Sequence, residues 1–177
     1  MTSYVALLRG VNVGGRIIKM EEIKNCFEDM GYTNVSTVLQ TGNVLFDANP
    51  TSSEDMRNEI EMIVGSTFNY PAKVQIYNLD EVIRITKAYP FNRSKKTFQH
   101  YVVFLDNSKA RQLAREPMSL DDKVEKIQKG DKVIYWMVKK GMTTKSLFSK
   151  FLLKPQYKQS NTVRNINTLQ KLENKHK

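Results

Sequence analysis

Two five-residue apolar runs, Tyr4-Val5-Ala6-Leu7-Leu8 and Tyr101-Val102-Val103-Phe104-Leu105, constrain the fold more than any other feature. Each is too short for a helix and reads as a buried strand, and each begins a similar succession of elements. After the first run, Met20, Ile23, Phe27 and Met30 recur at spacings of 3, 4 and 3 and share one helical face, which Gly31 ends. Val35 to Leu39 and Val44 to Phe46 read as strands joined near Gly42-Asn43. Ser52 with Asp55 resembles a capping box before a helix striped with Met56, Ile60, Ile63 and Val64. Lys73 to Tyr77 is a further strand, and Asn78 caps a helix that Pro90 ends. After the second run, Ser108 to Arg115 reads as a helix. Val124 to Gln128 and Val133 to Val138 read as strands joined at Gly130-Asp131, and Thr144 to Leu153 as a helix closed by Pro155.

The first half completes a βαββαβ unit, and the second repeats its strand–helix–strand–turn–strand–helix order without visible residue identity. Such a chain is α+β, with helices covering largely antiparallel sheets. The polar, Pro-containing connection Tyr89 to Gln99 sets the expected boundary, giving units 1–90 and 91–177 that could also intertwine as one domain. The closing segment is expected to be helical from Asn161 or Thr162. Val163, Ile166, Leu169 and Leu172 would form its apolar side, and Arg164, Thr168 and Lys171 a polar stripe.

Composition excludes several classes. In 177 residues, 40% of them hydrophobic, no apolar run approaches the ~18 residues of a membrane span. The start Met1-Thr2-Ser3-Tyr4 has no basic segment followed by an apolar one, so a cytoplasmic protein without membrane association is expected. The lone Cys26 excludes an internal disulfide and a multi-cysteine zinc site. It sits beside the Ile23–Met30 face, where a small buried hydrophobe is expected. With His100 and His176 the only histidines, no metal-ligand spacing occurs. Nucleophile-elbow and zinc-deaminase patterns are also missing. No cofactor or metal is called for, and whether the chain is an enzyme stays open at this point.

The net charge of +10 is unevenly placed. Residues 1–89 hold 8 basic and 11 acidic side chains, a net of −3, and residues 90–177 hold 20 and 7, a net of +13. Between Lys139 and Lys177 ten basic residues face one acid, Glu173. A field of this kind favours an anionic partner, although Lys171, Lys175 and Lys177 read best as a solubilising tail.

Three segments carry candidate binding chemistry. Arg9-Gly10-Val11-Asn12-Val13-Gly14-Gly15-Arg16 leaves the end of a buried strand. Its glycines allow close approach of backbone N–H groups to an anion, and Arg9 and Arg16 can bind phosphate or carboxylate bidentately. It lacks the Lys-Ser/Thr ending of a P-loop, and a tight structural turn explains it about as well. Gln40-Thr41-Gly42-Asn43 offers the amides of Gln40 and Asn43, but a hairpin turn already explains Gly42-Asn43. In Thr162-Val163-Arg164-Asn165-Ile166-Asn167-Thr168, Arg164 would sit in a helical first turn, where a bound anion relieves an unfavourable cation.

Taken together, Leu7-Leu8-Arg9-Gly10-Val11-Asn12-Val13-Gly14-Gly15, Gln40-Thr41-Gly42-Asn43-Val44-Leu45-Phe46 and Thr162 to Thr168 resemble the bacterial domain-of-unknown-function family 1697 over essentially the whole chain. The family pattern has Ile where Val11 stands and Trp where Ile166 stands. The resemblance implies two ferredoxin-like units packed together. It also favours one site for the three segments, built from Arg9, Asn12, Gly14, Gly15, Arg16, Gln40, Asn43, Arg164 and Asn165. The leading expectation is therefore a small phosphate- or carboxylate-bearing ligand at that site. One alternative is non-specific nucleic-acid binding through the basic second half, helped by the strand aromatics Tyr101, Phe104, Tyr135 and Trp136, although no RNP1 octamer is present. A third is a protein-interaction module.

Overall fold

The computed structural model describes residues 1–176; Lys177 lies outside the described residues. Its contacts divide the chain into two compact units, one of Met1–Ile83 with the stretch from Lys171 onward, the other of Arg84–Gln170.

In the first unit the order is β1 (Thr2–Arg9), α1 (Met20–Asp29), β2 (Thr33–Val38), β3 (Asn43–Ala48), α2 (Ser53–Phe68) and β4 (Lys73–Asn78). The strands form one antiparallel sheet in the order β2-β3-β1-β4. This is the ferredoxin-like arrangement. Alternate β1 residues Tyr4, Ala6 and Leu8 face Ile23 and Phe27 of α1 and Met56, Ile60 and Val64 of α2 in one core. Phe46 of β3 anchors it, 5.3 Å edge-on to Phe27 and 4.6 Å from the Tyr32 ring between centroids. Val5, Leu7 and Leu45, on the other face, are buried as well. That explains why β1 reads as an unbroken apolar run rather than an alternation.

The first two helices are capped at their starts. Ser52 Oγ accepts from the backbone N–H groups of Glu54 and Asp55 to open α2. Glu22 reaches back to the Lys19 N–H at the start of α1. Cys26 is buried in the α1 core face as expected, and burial pushes its thiol up from its ordinary value.

The second unit runs β5 (Phe98–Phe104), α4 (Asn107–Ala114), β6 (Glu125–Lys129), β7 (Val133–Lys139), α5 (Leu147–Leu152), α6 (Pro155–Lys158) and β8 (Thr162–Asn165). Its sheet order, β6-β7-β5-β8, repeats that of the first unit. Val103, Ile134, Trp136 and Val138 pack beneath Leu113, Phe148, Leu152 and Tyr157. Tyr157 donates its hydroxyl to Glu116 at 2.8 Å, and burial followed by that carboxylate pushes the phenol up to about 12. Two helices, α3 (Leu79–Lys87) and α7 (Ile166–His176), each have residues in both units.

Two expectations are corrected. Thr162–Asn165 is the fourth strand of the second unit, paired with β5, and helix begins only at Ile166. Val163 and Ile166 straddle a strand–helix junction, so their three-residue spacing imitates a helical stripe. Arg164 therefore occupies no helical first turn, and no stripe joins it to Thr168, which is buried. The helix expected from Thr144 starts at Leu147, because Lys145 and Ser146 turn back onto the Met142 carbonyl and Ser146 caps α5. Pro155 does not merely close that helix; it opens α6 at its first position, where a missing N–H costs nothing.

Candidate functional site: two loops at the end of the central strand

β1 ends at Arg9, which pairs with Lys73 of β4, and the chain then turns at Gly10, whose φ is +67°. The loop that follows is fastened to the β2–β3 hairpin by two contacts. The Leu8 N–H donates to the Gly42 carbonyl at 2.8 Å, and Asn12 Nδ2 donates to the Gln40 carbonyl at 2.7 Å. Gly42 is required there. With φ at +77°, a Cβ would stand 2.8 Å from Val11 Cγ2 and 2.9 Å from Leu8 Cβ. The first two candidate segments, separated in sequence, thus form one surface.

Several of their side chains hold that surface together. Asn12 Oδ1 accepts the Ile18 N–H at 2.9 Å. Arg16 donates to the Gly10 carbonyl at 3.0 Å and lies 4.4 Å over the Tyr70 ring. Asn43 is fully buried at the start of β3, where its amide donates to the Val38 carbonyl and Thr41 Oγ1. It closes the hairpin loop. Gln40 is exposed, and Gly14 and Gly15, at φ +67° and +80°, have open space where a Cβ would be. Arg9 is half-buried, and burial lowers its pKa from the ordinary guanidinium value.

Sequence reasoning missed the apolar rim. Val13 is 63% exposed, Ile17 85% and Leu39 46%. Each is next in the chain to Asn12, Ile18 or Gln40, the residues that the Asn12 side chain ties together. Val13 and Ile17 lie outside the flanking strand and helix periods, which was the available signal, whereas Leu39 falls within the expected strand Val35 to Leu39, which in fact ends at Val38.

Arg164 and Asn165 belong to the second unit. Arg164 stands opposite Val102 in β8, and its Nη1 donates to the Val163 carbonyl at 3.1 Å. Asn165 Oδ1 accepts the Asn167 N–H and so starts α7. Ile166, where the family pattern has Trp, is 1% exposed and is a core residue. Nearby, Arg93 donates to Asn167 and Gln170. Of the aromatics offered for stacking, Phe104, Tyr135 and Trp136 are buried and not available for it, while Tyr101 is half-buried and packed against Trp136. Among the described residues no group of three or more His, Cys, Asp or Glu side chains could hold a metal ion. No helix among them is long and apolar enough to cross a membrane.

Two four-stranded sheets of equivalent connectivity, β2-β3-β1-β4 and β6-β7-β5-β8, with a Gly-Asn-Arg loop surface on the first, define an α+β protein of doubled ferredoxin-like type. The chain belongs to the family described as protein of unknown function (DUF1697), whose pattern matches residues 1–135. Its fold is similar to that of the conserved bacterial protein SP0830 from Streptococcus pneumoniae, with a TM-score of 0.78 and 24% identity over 99% of each chain. No curated protein matches the sequence.

Proposed function

We propose that the first unit binds a small anion, bearing phosphate or carboxylate, where the Arg9–Arg16 loop meets the Gln40–Asn43 hairpin. The observation that carries this reading is the pair of left-handed glycines, Gly14 and Gly15, with open space above them. Backbone there is free of Cβ atoms and can approach a ligand closely. Arg9 supplies charge from the strand end, where it is half-buried. Gln40 adds an exposed amide, while Asn12, Arg16 and Asn43 act by holding the two loops in place. The exposed Val13, Ile17 and Leu39 on the same two loops suit a ligand with an apolar body beside its anionic group.

Thermal unfolding in phosphate, pyrophosphate, nucleotides and small carboxylates tests this. A ligand at 100 times its Kd raises stability by about 2.7 kcal/mol. The rise is expected to vanish in Gly14→Asp, because Asp tolerates the left-handed region and sets a carboxylate in the cradle. It is expected to fall sharply in Arg9→Gln. Stabilisation that survives Gly14→Asp places the anion elsewhere and ends the proposal.

A further inference from the structure

The basic excess resides in the second unit, where residues 84–170 hold 19 basic and 6 acidic side chains. Within it, α4 follows β5 and buries Ala110 and Leu113. Its outer face carries Ser108, Arg111, Gln112 and Arg115, at helical spacings of 3, 1 and 3, and these wall an open cleft of about 350 Å³. Arg111, Gln112 and Arg115 are exposed.

Among the described residues no carboxylate lines this cleft, and the nearest ones in sequence have other partners. Asp106 accepts from the Ser108 hydroxyl and the Lys109 N–H. Glu116 takes the Tyr157 hydroxyl and Lys154. Among the described residues Arg111 and Arg115 have no ion pair. Arg111 in the last turn of α4 and Arg115 at its C-cap sit where the helix dipole favours cations, and an anion held by both guanidinium groups would offset their mutual repulsion. The backbone rises about 6 Å along the axis between the two residues, a span comparable to that between successive phosphates of a nucleic-acid strand. Each guanidinium can take a phosphate bidentately.

We infer that the α4 cleft is a contact site for the phosphodiester backbone of nucleic acid. The +13 charge of the unit extends well beyond one phosphate, which favours a polymer over a single anion. With Phe104, Tyr135 and Trp136 buried, recognition runs through the backbone and is independent of base sequence.

Fluorescence anisotropy with a labelled single-stranded oligonucleotide of random sequence tests the site. The native chain binds at low salt, with a slope of log K against log salt of about −0.7 per phosphate contact. Arg111→Gln/Arg115→Gln, an exposed double substitution, weakens binding at least about tenfold and makes the slope shallower by about 1.4. Lys95→Gln/Lys96→Gln removes the same charge just before β5, roughly 20 Å of strand away from α4, and keeps most of the affinity. Equal losses in the two variants would mean a diffuse field and overturn the cleft. So would an absence of oligonucleotide binding by the native chain. Arginine-dependent stabilisation by inorganic phosphate without oligonucleotide binding would assign the cleft to a free anion and overturn the polymer.

Discussion

Asn12 donates its side-chain amide to the carbonyl of Gln40 at 2.7 Å, joining residues 28 positions apart. The same side chain accepts the Ile18 N–H at 2.9 Å. One amide therefore fixes both ends of the glycine loop, and the geometry of the proposed anion site depends on it. Asn12→Ala is expected to destabilise the first unit by about 1–3 kcal/mol, the loss of two hydrogen bonds, measured by urea denaturation. Asn12→Asp retains the acceptor for Ile18 but turns a carboxylate oxygen toward the Gln40 carbonyl, so it remains well below the native stability.

The glycines separate into two kinds. Gly42→Ala combines a left-handed backbone with contacts of 2.8 and 2.9 Å to Val11 and Leu8. It is expected to cost about 2–4 kcal/mol. Gly14→Ala meets nothing within 4 Å and carries only the backbone strain, about 1 kcal/mol. Paired urea melts of the two variants give the comparison; equal costs would show that the Gly42 approach is not tight.

Glu125 is 1% exposed and accepts both the Trp136 indole N–H and the Phe148 backbone N–H at 3.0 Å. It bridges β7 to the start of α5. Glu125→Ala leaves two buried donors unsatisfied and is expected to cost about 2–5 kcal/mol. Glu125→Gln keeps one good acceptor and is expected to cost less, with Trp136 fluorescence reporting both unfolding curves.

His100 is 7% exposed; its Nδ1 lies 2.9 Å from the Tyr89 hydroxyl, and its Nε2 is buried without a hydrogen-bond partner. Burial, and then the charge of Arg93, lowers its pKa from the ordinary value of 6.5. The unfolded chain then binds a proton that the folded chain refuses. Stability is complete above pH 6.5 and declines as pH falls from there toward the depressed folded value. His100→Gln is expected to remove that component, so the difference between native and variant stability narrows or reverses on acidification through this window. Parallel pH–stability curves for the two proteins would contradict the assignment.

The strand framework was legible because the central strands are buried on both faces, which gives compact apolar runs bounded by glycine turns. β8 was not legible, since four residues, Thr162 to Asn165, are too few to establish a period of two and run directly into α7. The candidate segments showed their chemistry but not its use. Nothing in the local sequence distinguishes an Asn12 that ties two loops from one that faces a ligand, or reveals that Asn43 is buried. That distinction lies in contacts such as Asn12 to Gln40, which only the folded sheet creates. Arg111 and Arg115 escaped notice because an exposed helix face normally carries such residues; the cleft between them is a feature of the surface, not of the spacing.

The most direct test of the central claim is an amide-resolved NMR titration of the native chain with the anion that gives the largest rise in thermal stability. Binding at the two-loop surface predicts saturable shifts of the Gly10, Gly14, Gly15 and Arg16 amides together with those of Gln40 to Gly42, and their loss in Gly14→Asp. Shifts that leave these amides unmoved, or that never saturate, would contradict an anion site at the end of β1.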